Sequence, residues 1–334
     1  MMGSMKKKKV LIAAGGTGGH LLPAQQLAEL IESRSDVLFA GHKLSENSFF
    51  QRERFRSIDV VSAPLNKKIA FCLALGKGLF QAIALIRKEK PDVVVGFGSY
   101  HTVPIMLASV LLRKQIVVYE ANRSLGKVTK LFAPAAKYVA SQFPLIKRKD
   151  FTLVPLFPWI RKATMAKTDA RREYGLDENL FTVLVFGGSQ GAEFLNEMVP
   201  KAIALLGGTV QVIHFGLKQN PYAVKSVVKL FESDMAKAYA AADFVVGRSG
   251  AGTVSELIRY AVPSLLIPYP FAYGHQQDNA EYLAETGGSF MLLQKEATPE
   301  KMAETIKNAD LAQMRLRLQS IEKTKRTALE DLIL

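Results

Sequence analysis

Cysteine is almost absent from the sequence, since Cys72 is the only one among 334 residues. A disulfide framework is therefore excluded, and the expected environment is a reducing compartment. Long apolar runs are missing too, because no stretch approaches the ~20 residues that span a bilayer. The run at residues 10–14 follows four lysines, as in a signal peptide, but it is short and turns directly into Gly15 and Gly16. We therefore interpret it as a first β-strand.

Acidic residues are too few to balance the basic ones, and the shortage lies in one half of the chain. Residues 1–160 hold 24 Lys and Arg against 10 Asp and Glu, whereas residues 161–334 hold 20 of each. The whole net charge of +14 thus belongs to the first half. This imbalance predicts that the first half faces a polyanion, either nucleic acid or an anionic membrane surface. The length of the chain fits two domains of ordinary size.

Glycine is used repeatedly, at turns between a short apolar strand and a helix. Such turns occupy residues 15–20, 96–100, 187–192 and 247–253. Unpaired N–H groups at a helix start attract anions, so the pattern predicts pockets for a phosphorylated sugar or nucleotide. The alternative is a glycine-rich turn with an ordinary cap, a role that Ser249 fits. Glu256 lies one turn inside its helix, where a carboxylate can accept hydrogen bonds from sugar hydroxyls.

The turns recur at similar positions in the two halves. Gly187 lies 172 residues after Gly15, and Asp243 lies 151 residues after Asp92, each at the start of a similar strand or turn. Two similar α/β halves are therefore predicted, with ligands beyond the carboxyl ends of the strands in a cleft between them. A nicotinamide site is not expected, because residues 40–43 offer no acid to hold a ribose after the second strand.

An apolar and aromatic surface edged by cations is predicted in residues 67–90. It suits contact with a membrane surface, where apolar burial and attraction to lipid charge add together. The alternative is a core-facing helix with a solvated basic face. The residues that we predict to contact a membrane are Lys67, Lys68, Ile69, Phe71, Leu75, Leu79 and Phe80.

Five motifs in order give the chain a specific resemblance: residues 15–20, 96–100, 187–192, 248–256 and 275–280. The sequence resembles the MurG family, peripheral glycosyltransferases that add N-acetylglucosamine to a lipid-linked peptidoglycan precursor. The resemblance implies a GT-B fold of the α/β class, in which two Rossmann-like domains face each other across a cleft. It also implies inversion at the anomeric carbon, with no cofactor and no required metal.

The resemblance further implies an acceptor- and membrane-binding domain over residues 1–158 and a donor-binding domain over residues 159–310. Residues 311–334 are expected to form a C-terminal helix, for which a return to the N-terminal domain is one possibility. The implied donor is UDP-N-acetylglucosamine, and the implied acceptor is a polyprenyl-diphosphate-linked muramoyl peptide. The implied location is peripheral, at the cytoplasmic face of the bacterial plasma membrane. Other cell-wall enzymes are further candidate partners, and nucleic acid is not expected.

Site residues follow from the resemblance position by position. The implied donor-binding residues are Arg161, Gly188, Ser189 and Gln190 at the diphosphate, Ala251, Gly252 and Thr253 at the second helix start, Glu256 at the ribose, Gln276 and Asn279 at the sugar hydroxyls, and Phe231 and Met235 beside the uracil. The implied acceptor-binding residues are Gly16, Thr17, Gly18, Gly19, Ser99 and Tyr100.

His20 is the candidate general base of the implied reaction. The acceptor hydroxyl must lose a proton as it attacks, and an imidazole titrates near the working pH. The alternative is a helix-start residue that bonds only backbone or phosphate. In that case Asn122 or Glu120 performs or assists the proton transfer.

The chain departs from the family pattern mainly on the acceptor side. Tyr119 and Ala121 replace the usual histidine and glutamine, and Thr129 stands where asparagine is common. On the donor side, Gly252 replaces a usual leucine. Two other functions stay open: a GT-B transferase with another lipid acceptor such as diacylglycerol, and a non-enzymatic nucleotide- or nucleic-acid-binding module that uses the basic half.

Overall fold

The computed structural model describes residues 7–62, 68–157, 165–187, 193–271 and 274–334, except for the side chains of residues 68–72. The chain divides into two compact units. The first unit is Met1–Phe157 with Arg326–Leu334, and the second is Pro158–Lys325. Each unit contains a parallel β-sheet with helices, as the repeated strand–turn–helix pattern predicts.

The first unit alternates strands and helices along the chain. Its elements are β1 (Lys8–Ala13), α1 (Gly18–Ile31), β2 (Ser35–Gly41), β3 (Ser57–Asp59), α2 (Lys68–Glu89), β4 (Val93–Gly96), α3 (Val103–Leu111), β5 (Gln115–Glu120), α4 (Lys127–Phe132), β6 (Tyr138–Ser141) and β7 (Thr152–Leu153). The strands pair in parallel in the order β3-β2-β1-β4-β5-β6-β7. Val93, Val94 and Val95 of β4 are fully buried, as expected for the centre of a parallel sheet covered on both faces.

Helix α2 has one face in the core and one face in solvent. Ala82, Leu85 and Ile86 are buried in the hydrophobic core, and Leu75 and Leu79 pack against it while half-buried. Phe80, in contrast, is 77% exposed. The core-facing side of one alternative is therefore present, and the other side is exposed and includes Leu73 and Phe80. Contact with a membrane stays a prediction. Among the described residues, no helix has both the length and the apolarity to cross a bilayer.

The second unit repeats the alternation. Its elements are α5 (Lys167–Glu173), β8 (Phe181–Phe186), α6 (Glu193–Leu206), β9 (Val210–Phe215), β10 (Ser226–Lys229), α7 (Met235–Ala241), β11 (Phe244–Gly247), α8 (Ala251–Tyr260), β12 (Ser264–Leu266), α9 (His275–Glu285), β13 (Ser289–Met291), α10 (Pro299–Lys307) and α11 (Leu311–Glu322). The strands pair in parallel in the order β10-β9-β8-β11-β12-β13.

The two sheets share their central strand order, which confirms the predicted pair of similar α/β halves. In each sheet the first strand lies between the second and the fourth, so the chain reverses direction beside it. The strand ends also match in register, since Gly96 of β4 pairs with Ala13 and Gly247 of β11 pairs with Phe186. The turns after these strands therefore emerge at the same edge of their own sheet, where α/β folds bind ligands.

A partly buried ion cluster joins the outer helices of the second unit to its sheet. Asp243, just before β11, pairs with Lys167 of α5 at 2.6 Å, with Arg171, and with Arg315 of α11 at 3.4 Å. Burial alone would raise the pKa of Asp243, but hydrogen bonds from Lys167 and from the backbone of Thr182 hold it below its ordinary value. The cluster thus fixes α5 and α11 to the strand that leads into the glycine turn.

The C-terminal segment is divided between the two units. Helix α11 packs on α8 in the second unit, and Arg259 pairs with Glu322 at 2.5 Å. The residues Arg326–Leu334 belong to the first unit. There Arg326 donates to the carbonyl oxygen of Gln142 at 2.6 Å, and Leu329 and Ile333 are buried.

Candidate active site

The first glycine turn joins the end of β1 to the start of α1. Gly16 has a φ of +87°, a value that favours glycine, and the side-chain amide of Asn47 donates to its carbonyl oxygen at 2.8 Å. Thr17 is the N-cap of α1, and the first turn of this helix contains no acidic residue. Since no carboxylate in that turn offsets the positive end of the helix, the turn suits an anion such as a diphosphate.

His20 stands in the first turn of α1, where a backbone carbonyl fixes its tautomer. Its Nδ1 atom lies 2.7 Å from the carbonyl oxygen of Phe97, and because that oxygen can only accept, Nδ1 donates. In the neutral ring Nε2 then carries the lone pair, as a general base requires. Gly98 allows the close approach, since a Cβ atom at that position would lie 3.4 Å from His20 Cε1.

Glu120 and Asn122 lie together after the end of β5. Glu120 is buried, and its Oε1 accepts from the backbone N–H of Asn122 at 3.1 Å and from the Asn122 side-chain amide at 2.9 Å. Its Oε2 accepts from the backbone N–H of Gly126 at 2.9 Å. Both carboxylate oxygens thus shape the loop that leads to α4 and orient Asn122. This structural task makes Glu120 a weaker candidate than His20 for the proton transfer.

The turn after β11 leads into α8, and here the prediction that Ser249 caps the helix is wrong. The N-cap is Gly250, and Ser249 Oγ instead donates to the carbonyl oxygen of Gln276 at 2.7 Å. Ala251, Gly252 and Thr253 form the first turn of α8, which contains no acidic residue. A small N-cap and an uncharged first turn leave this helix start suited to an anion.

Gln276 and Asn279 lie in the first turns of α9, beside the turn before α8. Gln276 Oε1 accepts from the backbone N–H of Tyr269 at 2.9 Å, and Asn279 Nδ2 donates to the carbonyl oxygen of Ser249 at 3.1 Å. Asn279 is fully buried. These bonds tie α9 and the loop before it to the turn before α8, so both residues have a structural role in addition to the implied sugar contact.

Arg248 secures the same loop from the other side. Its guanidinium donates to the carbonyl oxygen of Ile267 at 2.9 Å and to Gln294 Oε1 at 2.7 Å. It also lies 5.4 Å from the ring centre of Tyr269. Arg248 therefore holds the segment after β12.

The donor-side residues of α7 and α8 include one buried carboxylate. Glu256 lies in the second turn of α8, and the hydroxyl of Tyr239 donates to its Oε2 at 2.7 Å. Phe231 is 78% exposed, and Met235 is half-buried at the start of α7. The second unit therefore provides a carboxylate that can accept from hydroxyls and apolar side chains that can border a base.

Comparison with known proteins identifies the family. The N-terminal domain model of glycosyltransferase family 28 matches residues 10–141, and the C-terminal domain model matches residues 182–333. A relative from Protochlamydia amoebophila, named UDP-N-acetylglucosamine–N-acetylmuramyl-(pentapeptide) pyrophosphoryl-undecaprenol N-acetylglucosamine transferase, is 40% identical over 90% of this chain and 86% of its own. The chain belongs to the MurG family. A relative of the same name from Chlamydia trachomatis serovar L2 is 35% identical over 90% of each chain.

Solved structures agree with the MurG assignment. The crystal structure of Acinetobacter baumannii MurG is similar with a TM-score of 0.79 and 26% identity, over 98% of both chains. The Streptomyces glycosyltransferase SsfS6 is similar with a TM-score of 0.70 and 14% identity, over 98% of this chain and 99% of its own, which supports the fold alone. This MurG-family chain is thus a glycosyltransferase with the two-domain GT-B fold of the α/β class.

Several residues implied by the MurG resemblance lie outside the described part of the structure. They are Arg161, Gly188, Ser189 and Gln190 on the donor side and Lys67 in the membrane segment. The backbone of Lys68, Ile69 and Phe71 belongs to α2, but their side chains are not described.

The sequence analysis of this MurG-family chain did not predict a histidine cluster that packs against the first glycine turn. His101 stacks on Tyr100 at 4.0 Å and on His42 at 5.5 Å between ring centres. A Cβ atom on Gly15 would lie 2.8 Å from His101 Cβ, so this side chain packs directly on the turn. Burial first, and then the charges of His42 and His20, lower the pKa of His101 to about 4. The ring is therefore neutral at pH 7 and acts as packing for the turn.

The cluster is a consequence of the strand order in the first sheet. His42 and His101 follow β2 and β4, the strands that flank β1, so all three carboxyl ends meet at one edge of the sheet.

Within the ranges that the structure describes, no group of three or more His, Cys, Asp or Glu side chains is placed to hold a metal ion.

Two of the residues that depart from the MurG pattern, Tyr119 and Thr129, lie in different environments. Tyr119 is fully buried, and its ring contacts Phe97 at 5.0 Å and Phe157 at 5.5 Å between centres. This replacement therefore changes the core of the first unit. Thr129 is buried, and it lies near the candidate site. A Cβ atom on Gly98 would lie 3.3 Å from Thr129 Oγ1 and 3.4 Å from His20 Cε1.

A buried histidine predicts how stability depends on pH. His214 of β9 contacts Tyr222 Oη at 2.6 Å and Asn196 Oδ1 at 3.0 Å, and the Asn196 amide donates to the carbonyl oxygen of Gly216. Burial lowers the pKa of His214 from 6.5 to about 4. Below pH ~6.5 the unfolded chain takes up a proton that the folded chain does not take up until about pH 4. The free energy of unfolding should therefore fall as the pH drops through this window.

The expected contribution of His214 between pH 7 and pH 5 is a loss of about 2 kcal/mol. Urea unfolding followed by circular dichroism at the two pH values measures it. The His214→Gln variant should lose less stability than the wild type over the same interval. Equal losses in the two proteins would contradict the assignment.

Proposed function

We propose that this MurG-family protein transfers N-acetylglucosamine, with inversion, from UDP-N-acetylglucosamine to undecaprenyl-diphospho-muramoyl-pentapeptide, the step from lipid I to lipid II in peptidoglycan synthesis. The observation that carries the proposal is the likeness, over 90% of the chain, to relatives whose names specify this sugar and this acceptor. The geometry of His20 supports it chemically, because Nε2 of that ring carries the lone pair that an attacking hydroxyl needs.

The reaction is a displacement at the anomeric carbon. As the acceptor hydroxyl forms its bond to that carbon, His20 Nε2 takes the proton. The bond between the anomeric carbon and the diphosphate breaks, and its electron pair leaves with UDP. The growing charge on the leaving group needs electrostatic stabilisation, which helix N-termini provide.

The donor contacts come from residues of the second unit. The carboxylate of Glu256 accepts hydrogen bonds from the ribose hydroxyls, and Phe231 and Met235 border the uracil. The helix start at residues 251–253 contacts the diphosphate, together with residues 188–190 and Arg161. Gln276 contacts the sugar hydroxyls, and the fully buried Asn279 supports this contact by holding the turn before α8.

The acceptor contacts come from residues of the first unit. The diphosphate of the acceptor binds at the start of α1, where Gly16, Thr17, Gly18 and Gly19 present backbone N–H groups. Ser99 and Tyr100 lie after the neighbouring strand β4 and complete the acceptor pocket. Asn122 lies after β5 and orients the acceptor near His20.

A product assay tests the proposed reaction. Purified protein is incubated with UDP-N-acetylglucosamine and the lipid-linked muramoyl pentapeptide, and both UDP release and the lengthened lipid product are measured. A parallel reaction contains diacylglycerol as the acceptor. Transfer to the muramoyl lipid alone is the expected result. Transfer to diacylglycerol alone, or to neither acceptor, would overturn the proposal.

The exposed face of α2 is the proposed membrane contact, at the cytoplasmic face of the bacterial plasma membrane. Leu73 and Phe80 are 73% and 77% exposed, and their spacing of seven residues places them on one side of the helix. The exposed Lys77 lies between them on the same side. Apolar side chains next to a cation favour an anionic bilayer over water.

Replacing Phe80 with serine should weaken binding to vesicles that contain anionic lipid by about tenfold, because serine has no phenyl ring to insert into the bilayer. Co-sedimentation measures the partition. Leu316→Ser is the matched control, since Leu316 is an exposed apolar residue of α11 in the other unit. Unchanged vesicle binding of the Phe80 variant, or salt-sensitive binding of the wild type to DNA that exceeds its binding to vesicles, would contradict the membrane proposal.

A further inference from the structure

Tyr239 is a buried residue of α7, and its hydroxyl bonds to a carboxylate. The ring is 1% exposed, and the hydroxyl donates to Glu256 Oε2 at 2.7 Å. Glu256 is itself only 6% exposed. A carboxylate that is this deeply buried depends on hydrogen-bond donors for both its charge and its orientation.

The ring of Tyr239 is held on two sides. Phe186, at the end of β8, meets it edge to face at 5.9 Å between ring centres. Tyr260, at the end of α8, stacks on it at 5.0 Å with an interplanar angle of 18°. These contacts leave little freedom for the ring, so its hydroxyl is held in place before any ligand binds. Burial, and then the charge of Glu256, raise the pKa of the phenol well above its ordinary value, so the hydroxyl stays a donor.

The position of Tyr239 in its helix links two predicted donor contacts. Met235, the residue expected beside the uracil, lies four residues earlier and thus on the same side of α7. Tyr239 contacts Glu256, the residue expected at the ribose. One short helix therefore carries a base contact and the anchor of the ribose contact.

We propose that Tyr239 is a positioning residue that orients the Glu256 carboxylate toward the ribose diol and thereby sets the preference for ribose over 2′-deoxyribose. This inference rests on the proposed role of Glu256 in donor binding. The bond from the Tyr239 hydroxyl to Oε2 fixes the direction in which the Glu256 carboxylate presents its lone pairs, and loss of that bond lets the carboxylate shift. The energy of a hydrogen bond to a diol depends on this direction.

The Tyr239→Phe variant tests the inference because it keeps the ring and removes only the hydroxyl. We expect the KM for UDP-N-acetylglucosamine to rise about 5–20-fold, since a hydrogen bond to a charged group is weakened. The kcat should change less than about twofold, because the ribose contact is equal in the ground state and the transition state. The ratio of the inhibition constants of 2′-deoxy-UDP and UDP should fall toward one.

Tyr222→Phe is the matched control in the same unit. It also removes a tyrosine hydroxyl from a half-buried side chain, the hydroxyl that contacts His214, and this hydroxyl does not contact Glu256. Its KM and its ratio of inhibition constants should equal those of the wild type. If the two Tyr→Phe variants changed both quantities equally, the effect of Tyr239 would be a general loss of structure, and the inference would be overturned.

The Glu256→Gln variant separates the inference from the proposed function. If Glu256→Gln left the donor KM and the inhibition ratio unchanged, the proposed ribose contact itself would be wrong. If Glu256→Gln altered both and Tyr239→Phe altered neither, only the positioning role would be wrong. The double variant should resemble Glu256→Gln alone, because Tyr239 acts through that carboxylate. Fully additive effects would count against the inference.

Discussion

Replacing His20 with alanine is expected to lower kcat by about 10²–10⁴-fold, the usual contribution of a general base. The KM for UDP-N-acetylglucosamine should stay nearly unchanged, since His20 belongs to the first unit and the donor contacts belong to the second. The physical reason lies in the bond from Nδ1 to the carbonyl oxygen of Phe97, which leaves Nε2 as the basic atom. Steady-state kinetics with the lipid-linked acceptor give both constants.

The His20→Asn variant distinguishes a base from a structural residue. Asparagine can place an amide donor near the position of Nδ1 and can keep the bond to the Phe97 carbonyl, but it has no basic nitrogen. If His20 is the base, His20→Asn should be as inactive as His20→Ala. If asparagine restored turnover, the bond to the backbone would be the contribution of His20, and Asn122 or Glu120 would become the candidates for proton transfer.

Replacing Glu256 with alanine is expected to raise the KM for UDP-N-acetylglucosamine by about 10–100-fold, the effect of losing hydrogen bonds to a charged group. The dissociation constant of UDP should rise by a similar factor, because UDP carries the same ribose. Calorimetric titration with UDP and initial-rate kinetics measure the two quantities. The kcat at saturating donor should fall much less than the kcat/KM.

The control for this variant is Glu281→Ala, which removes an acid of α9 that contacts the Gln277 amide at 2.9 Å. Its donor constants should match those of the wild type. Removal of Glu256 also leaves the Tyr239 hydroxyl without its carboxylate, so a loss of about 1–3 kcal/mol in unfolding free energy is expected. Unfolding that stays cooperative would show that the kinetic change does not come from a failure to fold. Unchanged donor kinetics would rule out Glu256 as the ribose contact.

The order of secondary structure was predictable because its signals are local. A short apolar strand such as β4 or β11, a glycine turn and an apolar helix follow each other within about 20 residues of sequence. The same patterns placed His20 at the first turn of α1 and Ala251 at the first turn of α8, as the structure has them.

Contacts that depend on strand order were not predictable in the same way. His42 and His101 come together because β2 and β4 flank β1, and nothing in the residues near either histidine indicates this order. Ser249 has the residue type of a cap, yet the start of α9 provides a better partner for its hydroxyl, the carbonyl oxygen of Gln276. Local propensity was overridden there by a contact between elements that are 27 residues apart.

The division of the C-terminal segment between the units has a consequence for protein synthesis. Because Arg326–Leu334 belong to the first unit, the ribosome supplies the last part of that unit only after the whole second unit. At about 5–20 residues per second, the growing chain spends roughly 10–30 seconds with the places of Leu329 and Ile333 unfilled. During this interval the N-terminal unit exposes apolar surface that the finished protein covers, and a chaperone that binds such surface has its opportunity then.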